Sequence, residues 1–223
     1  MQSAHGRIFN HDEDAPGYDV DVRNESDPIR AAYQDVLAWV IREARIGTSS
    51  RVLELGSGTG NLSTLIPQCG ELVCVDLSEQ METIARPKLT HIPNRRFIKT
   101  DILELFDYES TPFDSIISTY AVHHLTDEEK GILFAKIYAN LVPGGRAVFG
   151  DLMLQNQEEK AVKIQEYLRE NDEKTALAIE EEFFWSIDAA IRDLIELGFQ
   201  VDTRRFSDLS WGVVAKRGAK PRP

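Results

Sequence analysis

The residues best suited to chemistry are three closely spaced glycines, the acids on either side of them, and a pair of histidines. Val52-Leu53-Glu54-Leu55-Gly56-Ser57-Gly58-Thr59-Gly60-Asn61 passes from an apolar strand into a glycine-rich turn. Glycine permits positive φ and lets a ligand approach bare backbone. A helix is expected to follow, and its first turn would offer unpaired N–H groups to an electron-rich ligand. The spacing is G-x-G-x-G. A dinucleotide loop reads G-x-G-x-x-G, and its third glycine lets helix and strand close around a pyrophosphate. Glu54, two residues before Gly56, is unhelpful to a pyrophosphate and complementary to a cationic amino group. Val73-Cys74-Val75-Asp76 ends a second apolar run in an acid about 20 residues beyond the glycines, the usual distance in a nucleotide-binding βαβ unit. Asp76 can accept hydrogen bonds from both hydroxyls of a ribose.

His123 and His124 follow the fourth expected strand. Imidazole titrates near neutral pH and suits proton removal. Adjacent side chains on an extended segment diverge, so the two are not expected to serve one site. Packing or capping of the next helix is the alternative role for each. No carboxylate stands at ligand spacing from them, and no metal ion is expected. Tyr18 is a candidate lid residue, or else a loop aromatic docked on the core. Phe183-Phe184-Trp185 follows the acidic run 180–182, so Phe184 and Trp185 either wall a substrate pocket or anchor the core.

These residues need a frame. A helix is expected over 29–44, where Ile29, Tyr33, Val36, Leu37, Val40 and Ile41 recur at helical spacing. Short apolar runs at 52–55, 72–75, 96–98, 115–118 and 146–149 alternate with helical stretches, which implies an α/β protein with a mostly parallel sheet covered on both faces. Ser78 suits the cap of a helix that Pro87 ends or disturbs. Thr126-Asp127-Glu128-Glu129 has capping-box form and opens a helix to about residue 141. Residues 155–182 are charged and helical, another helix spans 187–197, and the segments 199–206 and 209–215 should form an antiparallel hairpin.

With these residues in place, the chain resembles the class I S-adenosylmethionine-dependent methyltransferases over residues 51–149. E-L-G-x-G-x-G is similar to their first motif, and Asp76 to the acid ending their second strand. Thr100-Asp101-Ile102 resembles their adenine-contacting segment, 113–118 their fourth strand, and Leu141-Val142-Pro143-Gly144-Gly145 the turn before their fifth. Ser118-Thr119-Tyr120-Ala121-Val122-His123-His124-Leu125 through Lys130 is similar to the YrrT-type bacterial methyltransferases. That group also carries an N-terminal aromatic segment, matched imperfectly by 9–19, with Glu13 where it has tryptophan.

The resemblance implies a Rossmann-like three-layer sandwich with a seven-stranded, mostly parallel sheet and an antiparallel last strand, which the terminal hairpin suits. It implies S-adenosylmethionine as cofactor and S-adenosylhomocysteine as product. Glu54 and the backbone of Gly56, Ser57, Gly58 and Gly60 would meet the methionine portion, and Asp76 the ribose. Leu77, Met81 and Ile102 would flank the adenine, Asp101 would hold its amino group, and Thr119 and Tyr120 would approach the sulfonium. His123 and His124 then become candidates for removing a proton from the acceptor. One methyltransferase domain is expected, with residues 1–46 as lid and helix and 155–185 as an insertion capping the acceptor.

Composition narrows the acceptor. The 223 residues carry a formal charge of −12, with 42% hydrophobic and 28% charged residues. An acidic surface repels phosphate backbones, so nucleic acid is not expected and a small molecule is. The fourth strand also lacks the N/D-P-P-Y/F sequence of many amino-methylating enzymes. No apolar run is long enough to span a bilayer and no signal peptide is recognisable, so a cytoplasmic monomer or homodimer is expected. Cys69 and Cys74 read as buried free thiols. The competing functions are a non-catalytic adenosylmethionine-binding protein and a nicotinamide-dependent oxidoreductase, the latter disfavoured by the glycine spacing and Glu54.

Overall fold

The computed structural model describes residues 1–4, 12 and 15–219. Five parallel strands form the centre of the sheet: β1 (Arg51–Leu55), β2 (Glu71–Asp76), β3 (Arg95–Lys99), β4 (Phe113–Thr119) and β5 (Leu141–Leu154). A two-residue strand, β6 (Trp185–Ser186), pairs with the end of β5. The hairpin β7 (Phe199–Arg205) and β8 (Ser210–Arg217) completes the order β3-β2-β1-β4-β5-β8-β7. β8 is antiparallel to both neighbours. The last strand is therefore the antiparallel one, inserted between β5 and the edge strand β7.

Helices cover both faces, which is why the central strands read as unbroken apolar runs. Val52, Cys74 and Ile117 point to the face packed by α2 (Tyr33–Ala44). Leu53, Val73 and Ile116 point to the opposite face, where Leu133, Phe134 and Ile137 of α4 (Asp127–Asn140) are fully buried. The period of two sorts neighbours to opposite layers, and each such side chain contributes about 1.5–3 kcal/mol.

The chain runs outward from β1 to β3, then returns to place β4 on the other side of β1. At such a reversal the loops leaving adjacent strands diverge and open a crevice beyond their carboxyl ends. The glycine turn leaves β1 there, and residues 120–125 leave β4 there. Fold topology alone thus brings the glycines and the histidines to one edge.

Three local expectations change. The helix expected after the glycine turn is only a 3₁₀ turn, Ser63–Leu65. Pro67 holds Ile66 in the extended region (ψ 126°) and ends it. The helix expected over 29–44 is divided: Asp27 caps a separate 3₁₀ turn, Pro28–Arg30, and α2 begins after Ala32 at φ +62°. The stretch 155–182 is two helices, α5 (Gln157–Arg169) and α6 (Glu173–Glu181), separated where Asn171 turns left-handed and Asp172 caps the second. The capping box is present, with Thr126 Oγ1 accepting from Glu129 N and Glu129 Oε2 accepting from Thr126 N. Cys69 and Cys74 are buried and unbridged.

Candidate active site

The glycine turn is shaped by what surrounds it. Gly56 has φ +67°, and a Cβ there would overlap the Ala121 methyl of the loop after β4. Only glycine allows the two loops to approach this closely. Gly58, at φ +50°, has no atom within 4 Å of a Cβ position and borders the crevice, so bare backbone faces the ligand space. Gly60 lines no part of that space; it has φ +81°, and a Cβ there would lie 3.1 Å from the Ala85 methyl of α3 (Glu79–Lys88), which makes it a packing glycine. Ser57 N donates to Val75 O at 2.9 Å, and Gly58 N donates to Asp76 Oδ2 at 2.6 Å. Asp76 Oδ1 accepts from Ser78 N at 2.9 Å, while Ser78 Oγ caps α3 through Met81 N. The turn, the end of β2 and the start of α3 are thereby one unit.

One wall of the crevice carries Asp76, Leu77, Met81, Asp101 and Ile102; the other carries Thr119, Tyr120, Ala121, His124 and Leu125. A smaller chamber continues beneath the turn, with Glu54, Ser57 and Thr59 in its lining. Neither space is lined by Lys or Arg among the described residues, whereas Glu54, Asp76 and Asp101 contribute three carboxyl groups. This set of acceptors suits a ligand with a cationic sulfur and ammonium, hydroxyls and an aromatic base, and it does not suit a pyrophosphate. The residues present thus fit S-adenosylmethionine.

Glu54 is 1% exposed and accepts a hydrogen bond from Ser63 Oγ. Burial pushes its carboxyl up to about 8, against the Ser63 hydroxyl and with help from the charge of Asp76. Asp101 accepts from Leu103 N at 2.8 Å through Oδ1, and from Ser3 N and Ser3 Oγ at 2.9 and 2.5 Å through Oδ2. Ser3 thus lies against the Asp101 wall of the crevice.

On the opposite wall Tyr120 sits at φ +49°, an uncommon conformation for an aromatic residue. Its N–H donates to Gly150 O at 2.9 Å, and its ring lies tilted 5.3 Å from that of Tyr33. His124 borders the crevice; His123 does not. His123 is buried behind it, with Nδ1 2.5 Å from Asp151 Oδ1 and Nε2 3.3 Å from Glu182 Oε2. Burial alone would lower its pKa, but the Asp151 carboxylate and then Glu182 raise it to about 9. Phe184 and Trp185 line neither space. Phe184 packs edge-on to His123 at 6.2 Å, and Trp185 lies between Phe134 and Phe149 at 5.3 and 5.2 Å, so both are core residues.

Tyr18 borders both spaces from α1 (Ala15–Asp21). The helix is tethered by Asp19, whose Oδ1 accepts from Thr59 Oγ1 at 2.5 Å and Asn61 Nδ2 at 3.0 Å, and whose Oδ2 meets Lys88 Nζ at 2.5 Å. Phe9 and Glu13 of the aromatic segment lie outside the described residues. Asp151 is the residue the sequence reading missed. Its signal was an acid inside the otherwise apolar end of β5, where it accepts from Val122 N, His123 N and Leu152 N besides the imidazole.

The profile of the methyltransferase-domain family matches residues 52–145, from β1 to the turn before the long run of β5. An uncharacterized methyltransferase of Oceanobacillus iheyensis is 31% identical over 207 residues, covering 91% of this chain and 93% of its own. One from Geobacillus is 33% identical over 202 residues, covering 90% of each. The chain belongs to the class I S-adenosylmethionine-dependent methyltransferases. This methyltransferase shares its fold with the magnesium protoporphyrin IX methyltransferase of Synechocystis bound to S-adenosylhomocysteine (TM-score 0.66, 18% identity, 96% and 99% of the chains). The N-methyltransferase NodS of Bradyrhizobium japonicum, also with S-adenosylhomocysteine, aligns at TM-score 0.63 and 17% identity over 87% and 90%. Among the described residues of the methyltransferase, no helix is long and apolar enough to cross a membrane.

Proposed function

We propose that this methyltransferase acts on a small molecule whose reacting atom is held between His124, Leu125 and the Tyr18 lid. The observation that carries the reading is the position of His124, on the crevice wall formed by the loop after β4 and sharing it with Thr119 and Tyr120. The formal charge of −12 supports an acceptor other than nucleic acid.

The cofactor, when bound, supplies an electrophilic methyl group on a cationic sulfur. Glu54 and the bare backbone at Gly56 and Gly58 would hold its methionine portion, Asp76 the ribose hydroxyls, and Leu77, Met81, Asp101 and Ile102 the adenine. Thr119 and Tyr120 lie at the end of β4, where the methyl group would be presented. The protein's own work is alignment and exclusion of water, for which preorganised approach is worth roughly 7–11 kcal/mol. His124 takes up or orients the proton of the acceptor at its ring nitrogen. Residues 1–46 supply the lid and the helix α2, and 155–185 the cap; Lys174 of α6 reaches Asp27 at 2.8 Å, joining the two segments.

The test is a panel of thiol, phenol, carboxylate and amine acceptors assayed by release of S-adenosylhomocysteine. With the acceptor that turns over, His124→Ala should lower kcat by about 10²–10⁴-fold while leaving S-adenosylhomocysteine affinity unchanged. Unaltered kcat would leave His124 a wall residue, and turnover on nucleic acid alone would overturn the small-molecule reading.

A further inference from the structure

The strongest cluster outside the cofactor crevice lies directly behind its acceptor wall. His123, His124 and Glu182 each place one ligating atom so that all lie within 4.8 Å of one another. Glu182 comes from the end of the 155–185 insertion, carried there because Phe183 N donates to His123 O at 3.1 Å and Lys130 Nζ donates to Phe183 O at 2.6 Å. The carboxylate missing at ligand spacing in the sequence is therefore supplied by the fold.

We infer that His123, His124 and Glu182 form a binding site for a divalent cation of the zinc class on the acceptor side of the crevice. The arrangement has the marks of a ligand set. Asp151 accepts from Nδ1 of His123 at 2.5 Å, and its own orientation is fixed by Val122 N, His123 N and Leu152 N. A carboxylate behind a histidine in this way fixes the tautomer and aims Nε2 outward as a metal ligand. His123 Nε2 and Glu182 Oε2 are 3.3 Å apart. Two ligands of one tetrahedral ion, each bonded at about 2.0–2.1 Å, sit roughly 3.3–3.4 Å apart, so this edge already has the right length.

Two imidazoles and one carboxylate suit zinc and similar first-row ions, and do not suit magnesium or calcium. Binding exchanges the ion for the Nε2 proton, which passes to buffer, with no change of oxidation state. Three protein ligands leave a fourth position open. Of the three ligands, His124 borders the crevice, and His123 and Glu182 stand behind it. An acceptor thiol or hydroxyl that reached the open position past His124 would lose its proton more readily, the proton again passing to buffer. This inference rests on the proposed acceptor role of the His124 wall; with the ion bound, His124 acts as its ligand and the ion, not the imidazole, assists loss of the acceptor's proton.

The test uses the full chain, freed of metal by chelation and dialysis, and titrated with Zn²⁺ and with Co²⁺. One ion per chain is expected, with Co²⁺ giving the intense visible absorption of a tetrahedral site. Glu182→Gln and His123→Ala should each weaken binding at least tenfold. Glu182→Gln alters a partly exposed side chain and keeps the test usable if His123→Ala fails to fold. Asp151→Asn should weaken binding by about 10–100-fold. S-adenosylhomocysteine binding is measured in parallel and should be unchanged in Glu182→Gln. Absence of stoichiometric binding, or binding equal in wild type and Glu182→Gln, overturns the site and leaves His123 an imidazolium strut between two carboxylates. Failure of S-adenosylhomocysteine to bind the wild type would instead strike at the crevice assignment.

Discussion

Gly58 N donates to Asp76 Oδ2 at 2.6 Å, so a side-chain hydrogen bond joins the turn after β1 to the end of β2, beside the backbone bond from Ser57 to Val75. Asp76 also takes Ser78 N, so a backbone N–H holds each of its two oxygens. A carboxylate fixed this way is pre-oriented for the proposed ribose contact. Asp76→Ala should remove measurable S-adenosylhomocysteine binding in calorimetry, because it deletes the acceptor and releases the turn together. Asp76→Asn keeps the shape and one acceptor, and should retain weakened binding. Wild-type affinity in Asp76→Ala would remove Asp76 from the site.

Gly56 and Ala121 supply a separable test of how the two loops are held. Gly56→Ala places a methyl against that of Ala121 and forces a side chain to φ +67°. The overlap should cost about 1–3 kcal/mol and the left-handed backbone about 1–2 kcal/mol more. Ala121→Gly in the same chain should restore the first part and not the second. Chemical denaturation of the two single variants and the double variant measures this coupling. Additive effects would show that the loops do not depend on this contact.

Glu54 gives the site a pH signature. Its carboxyl is raised to about 8 in the fold, first by burial, against an ordinary value of 4.5. The folded protein therefore holds this proton more tightly than the unfolded chain. The resulting stability is fully present below about pH 4.5, declines as pH rises, and is gone above about pH 8. A ligand ammonium favours the carboxylate, so S-adenosylhomocysteine binding near pH 7 should release part of a proton. Calorimetry in two buffers of different ionisation enthalpy reads that release, and Glu54→Gln should abolish it. Identical heats in the two buffers would separate Glu54 from the ammonium.

What the sequence disclosed follows the range of the interaction. The glycine turn, Asp76 and the Thr126–Glu129 capping box are local patterns: the turn follows β1, Asp76 ends β2, and Thr126 caps α4. The helix after the glycine turn was expected from the motif, but Pro67 is equally local and overrides it. Glu182 and His123 are 59 positions apart, and their contact exists only because α5 and α6 carry the chain back across the end of β5. No periodicity encodes that return. Trp185 is ambiguous for a related reason: a large aromatic suits a pocket wall or a core equally, and only packing against Phe134 and Phe149 decides it.

One carboxylate, Asp19, ties the helix that carries Tyr18 to the glycine turn and to α3. Asp19 is partly buried, which opposes ionisation, but hydrogen bonds from Lys88 and Thr59 hold it below the ordinary carboxylate value. Its two oxygens thereby tie α1 to the glycine turn and to α3. Asp19→Ala removes both ties while leaving every crevice-lining side chain in place. The lid should then open more often, and S-adenosylhomocysteine should dissociate faster, with affinity about tenfold weaker, a change of 1.4 kcal/mol. Thr59→Val removes one of the ties to the turn and should have a smaller effect of the same sign. Stopped-flow displacement measures the off-rates. If Asp19→Ala releases ligand at the wild-type rate, α1 is a fixed wall of the site, and the crevice must admit the cofactor without its movement.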